Sequence, residues 1–266
     1  LSALSVWLST GDVADGDTAT LIFGLRRGGH EYYALDVTDP EAPSLKWKSV
    51  AFGDFSDMGE SWSKPIPTRL RYLKGGNVTW ADVLVFGGGY DNRLDEESRA
   101  SRSALSATKG NGVYIVDLDT GDLIWSYTGG KLEHSVPSNI RALDIDGDGS
   151  VERLYFGDTG GNLWRVDLNA YDSEPGRKLF DVANNSQLTH LASLGGTGSD
   201  YRKFFFAPDV AIFKEGGKER LVMSIGSGYR AHPLNDAIDD RLYVLSDEDV
   251  RNVPEKNKAP LTDVDF

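Results

Sequence analysis

Short apolar runs separated by glycine, aspartate and asparagine recur along this chain, and their length fits strands rather than helices. The first set is Leu21-Ile22-Phe23-Gly24, a turn at Gly28-Gly29, Tyr32-Tyr33-Ala34-Leu35-Asp36 and Leu45-Lys46-Trp47. The second is Val83-Leu84-Val85-Phe86-Gly87, Val113-Tyr114-Ile115-Val116-Asp117 and Leu123-Ile124-Trp125, with a tight turn predicted over Asp119-Thr120-Gly121-Asp122. The third is Leu154-Tyr155-Phe156-Gly157, Leu163-Trp164-Arg165-Val166-Asp167 and Lys178-Leu179-Phe180; the fourth is Leu221 to Gly226 and Leu242 to Asp247. A further strand is predicted ahead of the last three sets, over 66–70, 140–143 and 210–213. No window of a dozen residues sustains a helical period.

Repetition of a four-stranded unit is the signature of a β-propeller blade, so the pattern predicts an all-β propeller. About four blades are legible, whereas rings close with roughly four to eight. Residues 1–266 therefore read as a single propeller domain or a fragment of one, an incomplete ring. Polar insertions near 91–110 and 229–240 interrupt the pattern, and long loops of this kind often carry function. Trp47, Trp125 and Trp164 fall at repeat strands and are expected to serve packing.

Charge narrows the partners. Against 28 basic residues stand 41 acidic ones, a formal charge of −13, which argues against a nucleic-acid partner and against anionic lipid heads. No stretch reaches the length of a transmembrane span. The sequence opens on Leu1 with no signal-peptide pattern behind it, and reads as a piece of something longer. The absence of cysteine excludes disulfides, thiolate metal sites and cysteine nucleophiles.

The most specific motif is Asp144-Ile145-Asp146-Gly147-Asp148-Gly149-Ser150-Val151-Glu152. Its acids fall at positions 1, 3, 5 and 9 with glycine at 6, like the first nine positions of an EF-hand loop. Calcium is a hard ion that takes six to eight oxygens, so Asp144, Asp146, Asp148 and Glu152, with the Ser150 carbonyl, form a candidate Ca²⁺ site. Position 12 would be Tyr155, inside a strand. The fitting object is a nine-residue loop in a β-hairpin, expected to stand clear of the apolar core. Four carboxylates so close repel one another strongly without a cation.

Other motifs are weaker. Asp12 to Asp17 is acidic but lacks strict alternation and reads as a surface loop. Gly226-Ser227-Gly228-Tyr229-Arg230-Ala231 matches a dinucleotide fingerprint, but His232-Pro233 follows where a helix should run, so a loop between strands is expected. His30, His134, His190 and His232 are too scattered for a metal or catalytic spacing.

Three segments carry a family resemblance: Gly28-Gly29 leading to Tyr32 through Thr38, Gly59-Glu60-Ser61-Trp62-Ser63-Lys64-Pro65, and Gly226-Ser227-Gly228 leading to Pro233-Leu234-Asn235. From about Leu21 to Asp247 the chain resembles the C-terminal domain of the PilC/PilY family, calcium-binding tip adhesins of type IV pili in Gram-negative bacteria. The resemblance implies a modified, quinoprotein-dehydrogenase-like propeller with a calcium hairpin. The family's ligands match Asp144, Asp146, Asp148, the Ser150 carbonyl and Glu152, the last standing where familiar members have aspartate. It further implies a non-enzymatic role in pilus biogenesis and adhesion, with extension and retraction following calcium occupancy. Pilus or minor pilin components and a surface receptor are the implied partners, and the pilus tip or outer-membrane surface the implied location. The family's occasional Arg-Gly-Asp motif is absent here, so integrin binding does not follow. Two alternatives remain open: a quinone-dependent dehydrogenase, disfavoured by the missing cysteine pair, and a glycan-binding propeller.

Overall fold

Runs such as Val83-Leu84-Val85-Phe86 are apolar at consecutive positions, so a strand built from them must bury both its faces. All four side chains are fully buried. The computed structural model describes residues 4–8, 18–49, 53–96, 107–168, 179–182, 188–196, 201–251, 254 and 258–262. Their strands form four antiparallel meanders in sequence order.

The first blade is β1 (Leu4–Leu8), β2 (Ala19–Gly24), β3 (Tyr32–Asp36) and β4 (Ser44–Lys48). The second is β5 (Ile66–Lys74), β6 (Asn77–Gly87), β7 (Gly112–Asp117) and β8 (Leu123–Thr128). The third holds β9 (Arg141–Leu143), β10 (Arg153–Gly157) and β11 (Asn162–Asp167). Its fourth strand corrects the sequence expectation. Phe180 lies in β12 (Phe180–Asp181), which adds in parallel to β5 of the second blade, Phe180 opposite Tyr72. The edge beside β11 is taken instead by β13 (Leu188–Ser193). The fourth blade contributes β14 (Asp209–Glu215), β15 (Lys218–Gly226) and β16 (Leu242–Asp247), and β17 (Leu261–Thr262) adds in parallel to β13. In each of the first three blades the register slips once between the third strand and its outer partner. That shared irregularity marks the blades as repeats.

Alternation along the strands distributes the core. Leu84, Phe86, Tyr114 and Val116 pack toward the first blade, with Ile22, Tyr32 and Trp47. Their neighbours Val83, Val85, Val113 and Ile115 pack toward the third, with Leu154, Phe156 and Trp164. Tyr155 and Leu163 face the fourth blade, with Met223, Ile225 and Tyr243. Each apolar layer thus lies between blades, which is why the central strands read as unbroken apolar runs. Blade four has one buried face only, and β16 alternates between exposed and buried positions, leaving Leu242 and Val244 exposed.

The expected packing role of the tryptophans holds, since all three are buried. Trp47 crosses to the second blade and donates from Nε1 to the Leu118 carbonyl at 2.9 Å. Trp125 meets Phe180 edge-on, the ring centroids 5.7 Å apart. The Trp47 ring also covers the predicted turn at Gly121, where φ is +73° and a β-carbon would come within 2.6 Å of the indole. Gly121→Ala is therefore expected to cost about 1–3 kcal/mol through overcrowding in a left-handed turn, read as a lower urea midpoint with an unchanged slope.

Candidate metal site

The hairpin between β9 and β10 closes where Leu143 pairs with Arg153, and the Glu152 N–H donates to the Leu143 carbonyl at 2.9 Å. Inside it, short acidic side chains fold the backbone around themselves. Asp144 accepts from Gly147 N at 2.6 Å and from Gly149 N at 2.8 Å. Asp146 accepts from Asp148 N at 3.2 Å, and Asp148 from Ser150 N at 2.9 Å. Both glycines have left-handed backbones, φ +77° and +89°, a conformation that glycine adopts without steric cost.

The result gathers carboxylate oxygens of Asp144, Asp146, Asp148 and Glu152 within 4.8 Å of one another. The three aspartates are exposed, but Glu152 is buried. One of its oxygens accepts from Ile145 N at 2.6 Å, and the other, Oε1, is buried with no hydrogen-bond partner. A buried acceptor without a donor is costly, and a cation there would satisfy it. The donor set is all oxygen, suited to a hard divalent ion. Ser150 is fully buried, and its hydroxyl accepts from Arg71 N at 3.0 Å.

The loop does not stand clear of the core. Ile145 packs in the layer between blades three and four, and Val151 in the layer between blades two and three. Val151 N donates to the Arg69 carbonyl of β5 at 2.8 Å. The acidic loop is thus fastened to blades on either side of its own, contacts no local spacing reveals.

Burial pushes the Glu152 carboxyl up to about 7, and the charges of Asp144 and Asp148 add to the rise, while the Ile145 N–H and Arg153 oppose it. The folded, metal-free chain then holds a proton on Glu152 between about 4.5 and 7, where the unfolded chain has lost it. Metal-free stability is expected to fall as pH rises through that window. Thermal melts in chelator at pH 5.5 and 8 check this, and a Glu152→Gln variant should show a smaller pH dependence.

Next to Glu152 begins a buried ion network. Arg153, Arg165 and Asp167 are fully buried. Asp167 Oδ1 lies 2.6 Å from Arg153 Nε and 2.6 Å from Arg165 Nη2. Arg165 reaches across to Asp247 of β16 at 2.7 Å, where the Tyr155 hydroxyl also donates at 3.1 Å. Arg153 donates to the Glu152 carbonyl at 3.0 Å, so one residue step joins the acidic loop to the charged seam between blades three and four.

The weaker motifs fall as follows. Residues 226–228 lead into a loop with no helix, as expected. The histidines are not brought together into a metal cluster; His190 stacks on Trp164 at 4.3 Å and bonds to Asn162 at 3.1 Å, and His232 bonds to Asp95 at 3.0 Å. The Asp12–Asp17 stretch and residues 97–106 of the first insertion lie outside the described residues.

Fold and site together define an all-β propeller protein bearing an oxygen-only acidic hairpin that could hold a metal ion. Residues 4–197 match the family model of the PilY1 β-propeller domain, and the chain belongs to that family. It is 35% identical over 152 residues to the type IV pilus biogenesis factor PilY1 of Pseudomonas aeruginosa, covering 56% of this chain and 11% of that protein. A PilY1 homolog of Xylella fastidiosa is 27% identical over 255 residues, 91% of this chain and 17% of its own length. The crystal structure of the P. aeruginosa PilY1 C-terminal domain superposes with a TM-score of 0.64 at 25% identity, covering 97% of this chain and 51% of that one. The chain therefore spans a small part of the curated relatives and about half of the solved domain. Among the described residues no helix is long and apolar enough to cross a membrane.

Proposed function

We propose that this chain is part of one propeller domain that binds Ca²⁺ and serves type IV pilus biogenesis and adhesion without catalysing a reaction. The observation that carries the reading is the buried Glu152 Oε1, lacking a hydrogen-bond donor beside three aspartates. Asp144, Asp146, Asp148 and Glu152 would supply side-chain oxygens, and Ser150, whose hydroxyl is engaged by Arg71, would supply its carbonyl. A bound cation would offset the mutual repulsion of these acids and so order the loop. Because the loop is fastened to β5 and adjoins the Arg153 network, its occupancy would bias the packing of three blades. That gives calcium a two-state element to act upon.

The family's named role supports pilus components as partners and the pilus tip or outer surface as location. An extracellular site would also expose the loop to a calcium-rich medium. The test is cellular: Asp148→Ala introduced into the complete protein should change surface piliation and attachment, and remove their response to calcium depletion. Piliation that responds to calcium equally in both strains would contradict the proposal.

A further inference from the structure

At the end of β10 away from the acidic hairpin, the loop leading into β11 turns around one carboxylate. Asp158 is fully buried and accepts from Gly160 N at 2.8 Å, Asn162 N at 3.0 Å and Trp164 Nε1 at 2.7 Å. Asn162 Nδ2 donates to both Asp158 oxygens, at 3.1 and 3.0 Å. That fixes the amide, so its oxygen is the atom that accepts from His190 Nε2 at 3.1 Å. The link from blade two is fastened to the same loop: Thr159 N donates to the Ser135 carbonyl at 2.9 Å, and the two hydroxyls lie 3.0 Å apart. These bonds set the walls of a groove of about 420 Å³ lined by Lys131, Glu133, His134, Asn162, Trp164 and His190. Small-molecule sites span about 300–1,000 Å³.

His134 is the residue that the fold does not account for. It is only 9% exposed, yet its imidazole makes no hydrogen bond or ion pair among the described residues. The ring lies so close to the Gly160 backbone that a β-carbon there would come within 2.1 Å of Cδ2. A polar ring buried without partners is costly, and its open side is the groove. On the same groove the Lys131 ammonium and the Glu133 carboxylate are exposed and make no ion pair among the described residues. His190 lies flat on Trp164, the ring centroids 4.3 Å apart and the planes at 19°. Burial holds its pKa below the usual imidazole range, so the ring is uncharged at neutral pH. The groove thus offers hydrogen-bond donors, acceptors and a planar wall, and its two exposed charges are of opposite sign.

We propose that this groove between blades two and three binds a neutral saccharide, with ring hydroxyls on His134, Glu133 and Lys131. Each hydroxyl is one donor and two acceptors, so neighbouring hydroxyls satisfy a carboxylate, an ammonium and an imidazole at once. An ion of either sign would meet one attractive and one repulsive charge. The His190 ring, backed by Trp164, is a flat surface for the C–H face of a sugar ring. A saccharide is also what the adhesive reading calls for, and to that extent the inference rests on it. The groove itself lies at the other end of β10 from the acidic hairpin and needs no calcium.

The test is saturation-transfer NMR from the 266-residue chain to the methyl glycosides of galactose, mannose, fucose and N-acetylglucosamine. Sorbitol, a polyol without a ring face, is the control, and the series is run with calcium and again with chelator. At least one glycoside should receive saturation and sorbitol none. Affinity for that glycoside should fall about tenfold in Glu133→Ala and in His134→Phe, which keeps the ring and removes its nitrogens. Circular dichroism checks that both fold; Glu133 is exposed, so Glu133→Ala carries the test if His134→Phe does not fold. No transfer to any of the four glycosides, equal transfer to sorbitol, or unchanged affinity in Glu133→Ala would overturn the proposal. Zn²⁺ binding that His134→Phe abolishes, beside no transfer to a glycoside, would overturn it in favour of a metal site. Asp148→Ala should bind the glycoside as the wild type does, in calcium and in chelator alike, so failure here and failure of the hairpin are read separately.

Discussion

Asp167→Ala is expected to destabilise the protein by about 3–5 kcal/mol, the usual cost of breaking a buried ion pair by removing one partner. Asp167 is fully buried and faces two guanidiniums, those of Arg153 and Arg165. Its removal takes away the carboxylate that bridges two buried cations. Burial of an uncompensated charge, rather than the lost attraction, dominates the cost. Exposed pairs such as Arg220 with Glu215 are worth no more than about 1 kcal/mol by comparison. Urea unfolding of both proteins at pH 7 measures the difference. A loss below about 1 kcal/mol would show that water reaches the seam and that the network does not hold blades three and four together. Exchanging the whole network for apolar residues of similar volume should cost much less than the single change, because no charge is then stranded.

The second large effect belongs to calcium. Ligand that binds only the folded state stabilises it by about 2.7 kcal/mol at a hundred times its dissociation constant, and about 4.1 kcal/mol at a thousand times. The wild-type melting temperature should rise accordingly on adding calcium, and Asp144→Ala should show little or no rise. Asp144 is the stronger choice of variant because it also organises the loop, accepting from both Gly147 and Gly149. In chelator the variant gains by losing one of four repelling acids but loses those two hydrogen bonds, so its metal-free stability should change little. Since Ile145 and Val151 remain in their core layers, the blades stay folded.

The strands of the central blades were legible because burial on both faces leaves an unbroken apolar run, as in 83–86 and 154–156. Leu188–Ser193 is not legible as a strand because its burial is mixed and its sequence holds Thr189, His190 and Ser193, which give no period to read. Leu179-Phe180 reads equally well as the fourth strand of blade three, because an apolar pair does not say which sheet edge it joins. The acidic hairpin was legible because its geometry is local, each aspartate bonding to amides within five residues of itself. The bond from Arg71 to Ser150, the burial of Glu152 and the charged seam to Asp247 bridge residues as far as 92 positions apart. No spacing rule reaches them. The groove beside His134 is of the same kind: only folding brings residues 133, 134, 162 and 190 together.

Isothermal titration of the chain with calcium at pH 7.5, repeated on Asp148→Ala, bears most directly on the acidic hairpin as a calcium site. The geometry predicts one site per chain in the wild type, weaker binding of magnesium because its octahedron is stiffer, and no site in the variant. Calcium binding of unchanged stoichiometry and affinity in Asp148→Ala would place the ion elsewhere and contradict the assignment.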